Sequence, residues 1–76
     1  MTSGRVKWFS DEEGWGVLIS DDVPGDIFVH FTHIDGDFAG YRTLGAGERV
    51  QFEWEHYPSG QDGCYYRATR VVRAGG

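Results

Sequence analysis

Between Arg49 and His56 the chain alternates without a break, with Val50, Phe52 and Trp54 set against Gln51, Glu53 and Glu55. A period of two is the signature of a strand with one buried and one wet face. It is the clearest periodic signal in the chain, and it commits this segment to a sheet.

The other segments fit the same class. Arg5–Ser10 reads as a first strand, stopped by the acidic, Gly-containing turn Asp11–Gly14. Gly16–Ser20 is a second strand, Asp21–Gly25 a loop carrying Pro24, and Asp26–Phe31 a third strand. Thr32–Ile34 has room for one helical turn, with Thr32 placed to cap it. A long connection, Asp35–Glu48, holds four glycines with Phe38 and Tyr41. After the alternating strand, Tyr57–Gly63 reads as a loop, Cys64–Arg73 as the last strand, and Ala74–Gly76 as a frayed tail. A three-strand meander, a long crossover and a hairpin predict an all-β fold, the small five-stranded antiparallel Greek-key barrel that binds oligonucleotides. Closure also disposes of exposed strand edges.

The bulk composition agrees. At 76 residues the chain is expected to be one domain, near the lower limit for a self-supporting core. Cys64 is the only cysteine, so no internal disulfide exists and packing alone must hold the fold. The N-terminus does not resemble a signal peptide, and no apolar run approaches the roughly 20 residues of a membrane span. The expectation is a soluble cytoplasmic protein, monomeric and without membrane contact. The formal net charge of −5 argues mildly against a nucleic-acid partner, although local distribution matters more than the sum.

Two stretches carry more apolar surface than a core requires. In Glu13–Gly14–Trp15–Gly16–Val17–Leu18, Trp15, Val17 and Ile19 share one strand face, while Gly16, Leu18 and Ser20 share the other. In Ile27–Phe28–Val29–His30–Phe31, Phe28 and His30 look one way, and Ile27 and Val29 the other. Val6, Leu18, Ile27, Val29, Val50 and Phe52 suffice to fill a narrow barrel. The second, aromatic face is therefore explained best by base stacking. Trp8 and Trp15 are expected to share this aromatic face and to be solvent-accessible, and on the parity of the third strand truncating Phe28 leaves no cavity.

These residues resemble the bacterial cold-shock protein family, small oligonucleotide-binding (OB-fold) barrels. The resemblance is carried by Gly4 with Val6–Lys7–Trp8–Phe9, by Gly14–Trp15–Gly16, and by Asp26–Ile27–Phe28–Val29–His30–Phe31. Tyr41–Arg42–Thr43–Leu44 with Gly47, and Val50–Gln51–Phe52–Glu53, extend it over nearly the whole chain, as one cold-shock-like domain with a core at about 4–73. It implies a protein that binds single-stranded RNA or DNA, pyrimidine-rich by preference, and keeps RNA unpaired. The binding residues it implies are Lys7, Trp8, Phe9, Trp15, Val17, Asp26, Phe28, His30, Phe31, Phe38, Tyr41 and Arg42.

Where the family has Lys-Gly-Phe-Gly-Phe, this chain has Glu13–Gly14–Trp15–Gly16–Val17, so an acid replaces a lysine and an aliphatic replaces a ring. Between Arg49 and Arg67 there is no Lys or Arg. Both departures predict weaker binding than is usual in the family. Arg5, Arg67 and Arg70 are open between phosphate contacts and ordinary solvated charges. The spacing of His30, His33 and Cys64 is not that of a zinc site, and no cofactor is expected. No nucleophile–base or carboxylate pair suggests an enzyme. A second reading is a barrel whose nucleic-acid face has drifted toward a protein partner; the intact set Trp8, Trp15, Phe28, His30 and Phe31 speaks against it.

Overall fold

The computed structural model describes residues 1–35, 44–61 and 63–73. Five strands, β1 (Thr2–Ser10), β2 (Trp15–Ser20), β3 (Val23–His30), β4 (Arg49–Gln61) and β5 (Cys64–Arg73), close into a barrel of order β1-β2-β3-β5-β4. Four of the pairings are antiparallel; β3 meets β5 in parallel at Ile27↔Tyr66 and Phe28↔Arg67. This is the Greek-key, OB-fold barrel that the strand pattern predicts.

The inner face is aliphatic. Leu18, Ile27, Val29, Val50, Phe52 and Val71 are wholly inaccessible, with Val6, Val23, Ile34, Leu44 and Ala68 buried around them. All six residues expected to fill the barrel do so. Gly16 permits the tight crossing of β1 over β2, because a Cβ there would collide with the Trp8 carbonyl and the Phe9 backbone.

Several boundaries differ from the expectation, each for a pairing reason. β1 begins at Thr2 rather than Arg5, since Thr2, Ser3 and Gly4 pair with Phe52, Gln51 and Val50 to close the barrel. β3 begins at Val23, which pairs with Ser20 and is buried, so the expected loop shrinks to a turn at Asp21–Asp22. β4 runs on to Gln61, because its ladder with β5 resumes at Gln61↔Cys64 after an irregularity beyond His56. The short 3-10 turn is Phe31–His33, and its cap is His30, not Thr32: the imidazole Nδ1 accepts from the Thr32 backbone N–H at 3.4 Å. Trp54 keeps the parity of Val50 and Phe52, but β4 has by then reached the end of the barrel. Its ring sits edge-on to Tyr66 and is partly exposed, with the indole N–H donating to the Thr2 hydroxyl at 3.2 Å. Among the described residues no helix is long and apolar enough to cross a membrane.

Val29 has no exposed surface, so Val29→Ala is expected to lower unfolding free energy by about 1–3 kcal/mol through lost burial and a residual cavity. Urea denaturation measures this. An unchanged midpoint would contradict the placement of Val29 in the core.

Candidate nucleic-acid interface

The outer face of β1, β2 and β3 is built around Trp15. Its ring stacks on Phe28, with centroids 5.2 Å apart at 24°, and receives Trp8 nearly edge-on at 4.7 Å and 70°. His30 lies directly across from Trp15 on β3, and its ring tilts against Phe31 at 4.7 Å. The turn before β2 fixes the rim. Gly14, at φ +80°, donates its N–H to the Ser10 carbonyl at 2.7 Å and accepts from the Phe31 N–H at 2.8 Å. Any side chain at Gly14 would be strained there and would press on the Phe31 ring.

The expected residues divide into four groups. Trp8, Trp15, Val17, Phe28, His30 and Phe31 come together on this face. Their exposure, however, is uneven. Trp8 and Phe31 are open, Trp15 and His30 half-buried, and Val17 and Phe28 buried. The last two form a second cluster with Cys64, capped by Trp15 and separate from the barrel core. The expectation that Phe28 can be truncated without a cavity is therefore corrected: its outward face is already covered by aromatic and hairpin atoms.

Phe9, expected to bind with them, is half-buried. A register shift between Val6 and Trp8 turns Trp8 outward and Phe9 inward, where it packs on the barrel core. Lys7 and Asp26 are both on the outer side but meet each other, Nζ to Oδ2 at 3.2 Å. Both are about half exposed, so the pair is worth little and can be exchanged for another partner. Arg67 pairs with Glu55 and lies over the Tyr57 ring, and Arg70 pairs with Asp35. Phe38, Tyr41 and Arg42 lie outside the described residues.

Two features were not legible beforehand. The Glu13 carboxylate accepts the Trp15 indole N–H at 3.0 Å, and the Glu13 backbone N–H is held by the Ser10 hydroxyl at 3.1 Å. The acid thus sits at the edge of the stacked rings, in a turn that fixes its backbone. Cys64 joins the outer cluster through the curl of the β4–β5 hairpin, for which no local sequence signal exists.

Comparison with known proteins decides the family. The model of the "'Cold-shock' DNA-binding domain" family matches residues 2–73. The chain belongs to the cold-shock domain family. Its relatives include the cold shock-like protein CspG of Shewanella violacea, 45% identical over 93% of this chain and 91% of that protein. The cold shock-like protein CspD of Vibrio cholerae is 42% identical over 95% of this chain and 86% of its own length. The probable cold shock protein A of Mycobacterium tuberculosis is 45% identical over 79% and 87%. Cold-shock domains bind nucleic acid and are not enzymes, which places this chain among the nucleic-acid-binding proteins.

The rim also carries a titrating group. Partial burial, then the neighbouring His30 and Arg67, hold the His33 pKa below its ordinary value of 6.5. The neutral form is favoured in the folded state, so the unfolded chain takes up the proton first as pH falls. Stability should therefore decline as pH drops through about 6.5 and level off below the folded value. In urea titrations at about pH 7.5 and 5.5, His33→Gln is expected to reduce this decline. Equal pH dependence in both proteins would contradict the assignment.

Proposed function

We propose that this protein binds single-stranded RNA or DNA by stacking bases on the outer face of β1–β3, without chemistry and with low sequence specificity. The observation that carries this is the outward cluster Trp8, Trp15, His30 and Phe31, set over a barrel whose core is complete without it. Every base has a π-face, and each stack on an aromatic ring is worth about 1–3 kcal/mol. Trp8 and Phe31 offer exposed rings to the strand, and Trp15 and His30 extend the surface between them. Phe28 supports Trp15 from beneath, and it presents its own face only if the indole moves aside. Val17 and Phe28 thus serve as the floor of the site. Family resemblance adds a preference for pyrimidine-rich strands. Binding the open form of RNA draws a hairpin toward the unpaired state by mass action, which is the action of an RNA chaperone. The protein acts as a cytoplasmic monomer on this reading.

Affinity is lower than is usual in the family. Glu13 repels phosphate where other members carry lysine, and Lys7 must leave Asp26 before it can reach a phosphate. The second reading, a protein-interaction barrel, is favoured by the departures at Glu13, Val17 and the last loop, and opposed by the intact set Trp8, Trp15, Phe28, His30 and Phe31.

Titration of tryptophan fluorescence with oligothymidine of about six to eight nucleotides is expected to show saturable quenching at 1:1, with duplex DNA doing little. An unchanged spectrum at high micromolar oligomer and low salt would favour the interaction module. Glu13→Lys should strengthen binding and steepen the slope of log K against log salt by about 0.7, one phosphate contact on a single strand. Glu13→Gln, which keeps an acceptor for the indole, should strengthen binding less. If neither variant alters affinity or slope, Glu13 lies off the path of the strand.

A further inference from the structure

The cations of this acidic chain are not distributed evenly among partners. Arg42 lies outside the described residues; of the other six, Lys7, Arg67, Arg70 and Arg73 are ion-paired with Asp26, Glu55, Asp35 and Glu48. Arg5 and Arg49 remain, and the side chain of neither makes an ion pair or hydrogen bond with another described residue. They are also direct cross-strand partners, Arg5 on β1 opposite Arg49 on β4. Opposed residues of an antiparallel pair project from the same face with Cβ atoms about 5 Å apart, and like charges there are unfavourable. A chain with twelve acids has placed its two unpaired described cations against one another. An anion between them would remove the repulsion.

We propose that Arg5 and Arg49 form a phosphate clamp, holding the backbone of a single strand where it runs off the aromatic face. Both line one open groove of about 830 Å³, together with Ser3, Ile19, Ser20 and Gln51. Asp21 and Asp22, on the turn after β2, also border it, but no ion pair joins either to the arginines. The groove lies on the same outer side of β1–β2 as the aromatic face. Trp8 pairs with Val17 and Arg5 with Ile19, so Trp8, Val17, Ile19 and Arg5 share the outer side of β1–β2. From Trp8 to Arg5 is three residues of strand, about 10 Å at 3.3 Å each. A guanidinium fork matches the geometry of phosphate oxygens, and two forks side by side can bracket one or two phosphates. A phosphodiester strand is the occupant that uses both the adjoining rings and the arginines.

This inference rests on the single-strand reading above, and oligomer length separates the two. Oligothymidines of about six and about twelve nucleotides, within the range of one such barrel, are titrated in excess over the protein across a salt series. Wild type should bind the longer one more tightly and with the steeper salt slope. Arg5→Gln/Arg49→Gln should leave the six-mer unchanged and lower the slope for the twelve-mer by about 1.4, two phosphate contacts at 0.7 each. Across a fourfold rise in salt, wild type would then lose about sevenfold more affinity for the twelve-mer than the variant does. The thermal midpoint of the variant should be no lower than that of wild type, since a like-charge contact is gone. The single variant Arg49→Gln should show about half the slope change and serves if the double variant folds poorly. Equal losses on both oligomers, or none on the twelve-mer, would overturn the clamp and leave the stacking reading standing. A wild-type protein that binds neither oligomer would overturn both.

Discussion

Leu18 and Val17 are neighbours in the chain, and so are Val29 and Phe28, yet the first of each pair lies in the barrel and the second outside it. Strand alternation in β2 and β3 imposes this split, and the rest of the structure depends on it. The inner set is aliphatic and fills a narrow barrel without help from rings. Since no disulfide contributes, this packing has to stabilise the fold by itself. The outer set is thereby released from the core, and Trp15 settles on Phe28 over a small second cluster. A one-residue slip would exchange the two sets and abolish both core and site.

The inner core and the strand count were readable in the sequence because aliphatic residues at period two leave few alternatives. The ends of strands were not. Thr2–Gly4 and Val23–Gly25 carry no apolar alternation, and only their partners across the barrel make them strands. Phe9 shows a subtler failure. Counting from buried Val6, strict alternation would put Trp8 inside and Phe9 outside; the irregularity at Lys7 reverses both. Trp54 follows its expected parity, but sequence does not reveal where a strand passes the end of a barrel. The burial of Phe28 is a matter of side-chain rotation and of a distant hairpin, neither of which a period can encode.

Charge tells a similar story. The sum of −5 is unfavourable for a polyanion partner, while the arrangement is less so. Four of the described cations are held by acids at the surface, where such pairs are weak and exchangeable. Arg5 and Arg49 are unpaired among the described residues and stand together beside the aromatic face. Glu13 works in the opposite direction at the other end of that face, with its carboxylate held at the Trp15 indole. Binding in such a protein should draw more on stacking, and less on counterion release, than a basic barrel would.

The three tryptophans allow the central claim to be tested at single-residue level. Trp8 and Trp15 lie on the outer face, and Trp54 lies at the barrel end with its indole N–H on Thr2. Indole N–H resonances followed by NMR during titration with oligothymidine should move strongly for Trp8 and Trp15 and little for Trp54. The Trp15 signal should also report any release of its bond to Glu13. Large shifts at Trp54 with Trp8 and Trp15 unmoved would place the nucleic acid on a different surface and contradict the account.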